Sequence, residues 1–187
     1  MPLFLDTRDP GFEEGFARLL GQKREDSPDV DAAVAAIIAD VRERGDAALV
    51  ELTARFDRVT LTPETLRIGE DEVDRLCAAV PDEEREALEV AAARIRAYHE
   101  RQRPQGESWT DEAGATLGWR WTPVAAAGLY VPGGLASYPS SVLMNALPAK
   151  VAGVGRLVVT VPTPDGIANP LVLLACRVAG VDEVFRV

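Results

Sequence analysis

Residues Gly128 to Val187 run GLYVPGGLASYPSSVLMNALPAKVAGVGRLVVTVPTPDGIANPLVLLACRVAGVDEVFRV, and β-type and helical runs alternate along them. Ala125 to Val131 is a short apolar strand that ends in the loop Pro132-Gly133-Gly134. A helix opens near Ser140-Ser141. Leu157-Val158-Val159-Thr160-Val161 is β-branched and too short for a helix, so it reads as a buried strand. The loop Pro162-Thr163-Pro164-Asp165-Gly166 follows. Pro170 to Ala179 is an apolar helix with proline at its start and Gly180 as its stop, and Val184 onward begins another strand. Strands alternating with helices imply a parallel sheet with right-handed crossovers. The fold class is therefore α/β: an N-terminal helical region followed by an incomplete Rossmann-like parallel βαβαβ sheet.

Working outward, residues 1–105 form the helical region, 106–124 a β-hairpin linker and 125–187 the first part of a Rossmann-like dinucleotide-binding domain. In the helical region Val30, Val34, Ile37, Ile38 and Val41 recur at helical spacing after the start signal Ser27-Pro28, and Gly45 ends that run. Arg58 to Gly69 carries a β-like rhythm that allows a short strand. Pro81 opens a longer helix with acidic residues in its first turn and arginines near its end, as the helix dipole favours. Between Trp109 and Trp121 a turn-rich Asp-Glu-Ala-Gly separates β-formers, which predicts a hairpin. Trp119 and Trp121 are read as core or interface anchors. Pro148 removes one helical hydrogen bond, so a kink or an early helix end is expected there.

Composition narrows the function. The chain has 187 residues, is 47% hydrophobic and carries a formal charge of −10. It has apolar residues enough for a core, and nucleic acid is excluded as a partner because a phosphate backbone needs clustered Lys and Arg. No apolar run approaches the length of a membrane span, no signal segment opens the chain, and a cytoplasmic location is expected. Cys77 and Cys176 lie far apart in apolar helical stretches and read as buried small hydrophobes.

Ligands of parallel sheets bind beyond the carboxyl ends of the strands. Here that means the loops that begin at Pro132 and Pro162. Adjacent Gly133 and Gly134 would let a pyrophosphate approach the backbone, although Pro-Gly-Gly also describes a plain turn. Tyr130 closes the first strand, where its ring either stacks on a nucleotide base or caps the core with its hydroxyl in water. No GxGxxG fingerprint, phosphate loop or nucleophile elbow is present. The single histidine, His99, sits on a charged helix end and offers no grouping for a metal.

The runs Gly128 to Gly134, Tyr138 to Gly153, Asn169 to Ala175 and Ala179 to Val187, with Arg55-Phe56-Asp57 further back, closely resemble histidinol dehydrogenase. The resemblance implies an NAD-dependent, zinc-using homodimer that oxidises L-histidinol to L-histidine in two steps through an aldehyde. It places Tyr130 against NAD⁺, the Pro132-Gly133-Gly134 loop in the cofactor cleft, and Phe56 and Pro162 as further lining residues. It also implies that the catalytic bases and zinc ligands lie outside these residues, so that the chain alone is expected to be inactive. Two other readings stand beside it: a non-catalytic nucleotide-binding or interaction module, and a paralogous alcohol dehydrogenase of the same fold. An unfinished sheet edge would favour the module, by pairing with another chain.

Overall fold

The computed structural model describes residues 4–22, 28–132 and 138–187. Two compact units divide the chain, Met1–Gly45 and Asp46–Val187. In the first, helices α1 (Phe12–Gln22) and α2 (Pro28–Arg44) follow one another. The rings of Phe12 and Phe16 stack at 5.4 Å on α1, and Gly15 is buried beneath Leu5. Val34, Ile37 and Ile38 of α2 stay exposed, and Gly45, with φ +57°, ends the helix.

The second unit begins with α3 (Asp46–Asp57), a 3-10 turn (Pro63–Thr65), α4 (Glu70–Ala78) and α5 (Asp82–Glu100). The hairpin β1 (Glu107–Thr110) and β2 (Thr116–Trp119) comes next. Then β3 (Ala126–Tyr130), α6 (Pro139–Ala152), β4 (Arg156–Val161), a 3-10 turn (Pro164–Gly166), α7 (Pro170–Ala179) and β5 (Glu183–Arg186) complete the chain. The three later strands lie in the order β3-β4-β5, and both pairings are parallel, as the alternation of strand and helix predicts.

The period of two along the strands sets the layers. Leu157, Val159 and Val161 of β4 are buried, and Val131 and Val184 join them in the core. Helices α6 and α7 pack side by side against this row, and α4 and α5 pack on the helices. Val142, Leu143, Ala146 and Leu147 of α6 and Leu173, Leu174 and Ala175 of α7 are almost wholly removed from solvent. The alternate residues Tyr130, Thr160 and Phe185 are in register with one another on the opposite face of the sheet.

The structure narrows four expectations. Helix α6 runs through Pro148 to Ala152 and does not end early. A proline inside a helix costs about 3 kcal/mol, whereas each large apolar side chain buried contributes about 1.5–3 kcal/mol, so Val142, Leu143 and Leu147 of α6 outweigh it. The Arg58–Gly69 segment forms no strand of its own. Instead Arg67 bridges antiparallel to Phe185, the Ile68 N–H donates to the Val184 carbonyl at 2.9 Å, and the Arg186 N–H donates to the Leu66 carbonyl at 2.8 Å. That bridge closes the outer edge of β5, so the edge that would have favoured an interaction module is partly paired. Of the two roles expected for the tryptophans, core or interface anchor, the core is ruled out: Trp119 is 49% and Trp121 64% exposed. Trp109 and Trp119 instead meet edge to face at 5.6 Å on the hairpin.

The amino end of the sheet is closed by one carboxylate. Asp182 Oδ2 accepts from Lys150 Nζ of α6 at 2.7 Å and from the Leu157 N–H of β4 at 2.7 Å, while the Asp182 N–H donates to the Leu157 carbonyl. Lys150 is thus structural. The Lys150 ammonium and the Leu157 N–H hold the Asp182 carboxyl below its ordinary value of 3.8.

Two stability predictions follow from these contacts. Leu173→Ala is expected to lower the unfolding free energy by about 2–5 kcal/mol in urea titration, because a wholly buried leucine leaves a cavity. A carboxyl whose pKa is depressed on folding stabilises fully above its ordinary pKa, and that contribution is lost as pH falls through the folded value. Asp182→Asn is therefore expected to flatten the loss of stability below about pH 4, in melts recorded from pH 7 to pH 2. An acid transition identical to that of the parent protein would show that Asp182 does not carry it.

Candidate functional site

The carboxyl ends of β3 and β4 lie side by side, since Tyr130 is in register with Thr160 and the Val131 N–H donates to the Thr160 carbonyl at 3.0 Å. Leu129 and Val131 face the helices, so Tyr130 emerges on the open face of the sheet and is 65% exposed. It does not cap the core. Pro132, exposed, continues from it. Gly133 and Gly134 lie outside the described residues. Helix α6 starts at Pro139, and Ser141 donates its N–H back to the Tyr138 carbonyl at 3.0 Å.

The second loop is held from a distance. Pro162 is half-buried after β4, and the next residue, Thr163, is fully buried. Its N–H donates to Asp57 Oδ2 at 3.0 Å, across 106 positions of sequence. Asp57 ends α3, which places the end of that helix, Phe56 included, beside the Pro162 loop. Phe56 is exposed, with the Arg55 guanidinium 5.1 Å from its ring centre. The next pair along both segments also meets. Arg58 donates through Nε to Asp165 Oδ1 at 2.8 Å and through Nη2 to Oδ2 at 2.9 Å. The guanidinium holds the Asp165 carboxyl below its ordinary range, and the carboxylate raises Arg58.

Of the six residues expected to face a nucleotide, the structure thus sets Tyr130 and Pro132 at the end of β3 and Pro162 and Phe56 at the neighbouring loop. An exposed aromatic ring beside two strand-end loops, with Gly128 on the same face leaving open space, suits a flat heterocycle and its linked phosphates. Zinc has no comparable fit. Among the described residues no three His, Cys, Asp or Glu side chains converge to hold a metal ion. His99 is half-buried and lines a cleft with Arg103, Trp121 and Pro148. That cleft involves the end of α6 and the segment leading into β3, so it lies at the amino end of the sheet. Cys77 and Cys176 are free and buried, and burial pushes the Cys176 thiol up to about 12, so neither is a ready nucleophile or ligand.

Comparison with known proteins decides the kinship. The family model described as histidinol dehydrogenase matches residues 20–187. The chain belongs to the histidinol dehydrogenase family. It is 71% identical over all its 187 residues to the histidinol dehydrogenase of Ruegeria pomeroyi, of which it covers 43%. The same identity and coverage hold for the histidinol dehydrogenase of Cereibacter sphaeroides. The crystal structure of histidinol dehydrogenase from Elizabethkingia anophelis superimposes with a TM-score of 0.80 at 28% identity, over 87% of this chain and 37% of that one. This histidinol dehydrogenase family chain therefore spans less than half the length of the curated relatives it matches.

Three residues at the site escape the sequence reading of individual positions: Arg58, Thr163 and Asp165. Thr163 and Asp165 fall in the loop expected after the second strand, but nothing in either segment signals its partner more than a hundred residues away.

Proposed function

We propose that this chain forms the NAD⁺-facing part of an enzyme that oxidises L-histidinol to L-histidine, working as a cytoplasmic homodimer. The observation that carries the proposal is the exposed Tyr130 ring at the carboxyl end of β3, next to the loop after β4. The family membership supports the substrate. The reaction is a four-electron oxidation, alcohol to aldehyde and then hydrated aldehyde to carboxylate. NAD⁺, when bound, accepts a hydride in each of the two steps.

The residues of this chain bind and orient. Tyr130 offers a ring face for stacking, with the uncovered sheet behind it. Pro132 and Pro162 stand on the two loops, and Phe56 lies at the end of α3 that bonds the second. Gly133 and Gly134 belong to the first loop by sequence, where the lack of side chains suits a pyrophosphate. No described residue here is assigned as the proton acceptor, and no step is routed through zinc.

The homodimer is supported by the hairpin. Trp109, Leu117 and Trp119 share one face of β1–β2 by register, and all three are exposed. Two free, buried thiols suit a reducing compartment.

The test uses the protein expressed from its complete reading frame. NADH is expected to form on mixing with NAD⁺ and L-histidinol, and its absence would remove the activity. Tyr130→Ala is expected to weaken NAD⁺ binding by about 1–3 kcal/mol in titration calorimetry, the range for loss of an aromatic stacking partner. An unchanged affinity would take Tyr130 out of the site.

A further inference from the structure

Arg58 and Asp165 are the only non-glycine residues among those described that hold a left-handed backbone, with φ +58° and +57°. They are also each other's partners. Arg58 follows directly on α3, in the position where a helix commonly ends on glycine. Asp165 sits at the centre of the 3-10 turn after β4. Glycine would relieve both backbones, yet at both positions stands a side chain that reaches the other.

Stability alone does not account for this. Both side chains are more than half exposed, and an exposed ion pair contributes little in water. What a two-pronged guanidinium–carboxylate contact does supply is direction, because both donors must meet both oxygens in one plane. Two further contacts fix the same junction. Asp57 accepts the Thr163 N–H, and Gly166 passes so close to Val59 that an added Cβ would lie 3.3 Å from its methyl. The Thr163 hydroxyl is buried and has no partner among the described residues, so the loop is drawn inward without the gain of that bond. Strain that local contacts hold in place at a strand end is a mark of a preset site.

The junction also lies between two expected nucleotide-lining residues. Phe56 precedes Asp57-Arg58 on one segment, and Pro162 precedes Thr163-Pro164-Asp165 on the other. We infer that Asp57, Arg58 and Asp165 form a clamp that presets the loop after β4 for the nucleotide. They are positioning residues, and the inference rests on the nucleotide reading proposed above. Without the clamp the loop visits other conformations, and apparent affinity falls with the fraction of time it is preset.

The experiment uses the protein from its complete reading frame, with NAD⁺ as the probe. Asp165→Gly and Arg58→Gly each break the Arg58–Asp165 pair of the clamp while relieving the left-handed backbone, so folding is not penalised there. Each is expected to weaken NAD⁺ binding about tenfold in titration calorimetry, as for a loop preset about a tenth of the time, with a melting temperature close to that of the parent. In turnover the KM for NAD⁺ rises and kcat holds. The double variant is expected to be no weaker than either single one, because the two groups act as a unit. Asp165→Asn, which tolerates the left-handed backbone and keeps one acceptor, is expected to recover part of the affinity. A lowered melting temperature with unchanged NAD⁺ affinity, or loss of folding in every variant, makes the pair merely structural and overturns the inference. A parent protein that binds no NAD⁺ overturns the nucleotide reading and the clamp together.

Discussion

The register of three parallel strands is the constraint on which the larger unit depends. Leu157, Val159 and Val161 must face α6 and α7, because a slip of one residue would bury Val158 and Thr160 and turn the core residues outward. The same register places Leu129 and Val131 inward and Tyr130 outward. The exposure of the Tyr130 ring at the candidate site is thus a consequence of core packing. It also follows that the open row Tyr130–Thr160–Phe185 is aligned by backbone hydrogen bonds and needs no side-chain contact for its alignment.

Helix α6 shows how far that core dominates local preference. Its proline should break it, but the faces on both sides of Pro148 are already committed to the sheet and to α5 and α7. Neighbouring packing also explains why α4 is held tightly despite its nine residues. Val73, Leu76 and Cys77 of α4 pack into the core, and the part-buried Arg186 of β5 reaches Glu72 at 2.5 Å, so the outer helix is held by both burial and a strand contact.

Much of residues 125–187 was legible in the sequence because its signals are local. A β-branched run of five, a proline at a helix start and glycine at its stop name β4 and α7 nearly to the residue. The carboxyl-end position of Tyr130, Pro132 and Pro162 follows once the strands are known to be parallel. What was not legible depends on distant partners. The β-like rhythm of Arg58–Gly69 signalled extended backbone there, but not its shrinkage to a bridge at Arg67 or its partner on β5. The exposure of Trp119 was hidden because an aromatic residue reads alike whether its partner is within the chain or outside it. Arg58 and Asp165 were hidden twice, by their separation and by a backbone state that sequence assigns to glycine. Asp57 was noticed only through the family resemblance of its neighbours, and its bond to Thr163 supplies the physical reason for its place.

The two ends of the sheet are built on different principles, and that difference bears on function. At the amino end Asp182 bonds a helix and a strand with relaxed backbone, and its side chain satisfies a buried N–H. Removing such a group leaves a donor unpaired, so its effect is felt in stability. At the carboxyl end one solvent-exposed ion pair, Arg58–Asp165, joins two unfavourable backbones, and it contributes little stability and much geometry. A protein that only needed to close its sheet would have no use for the second arrangement. Its presence at the loop after β4, and nowhere else among the described residues, fits the inference that this loop is held in one shape for something that binds there.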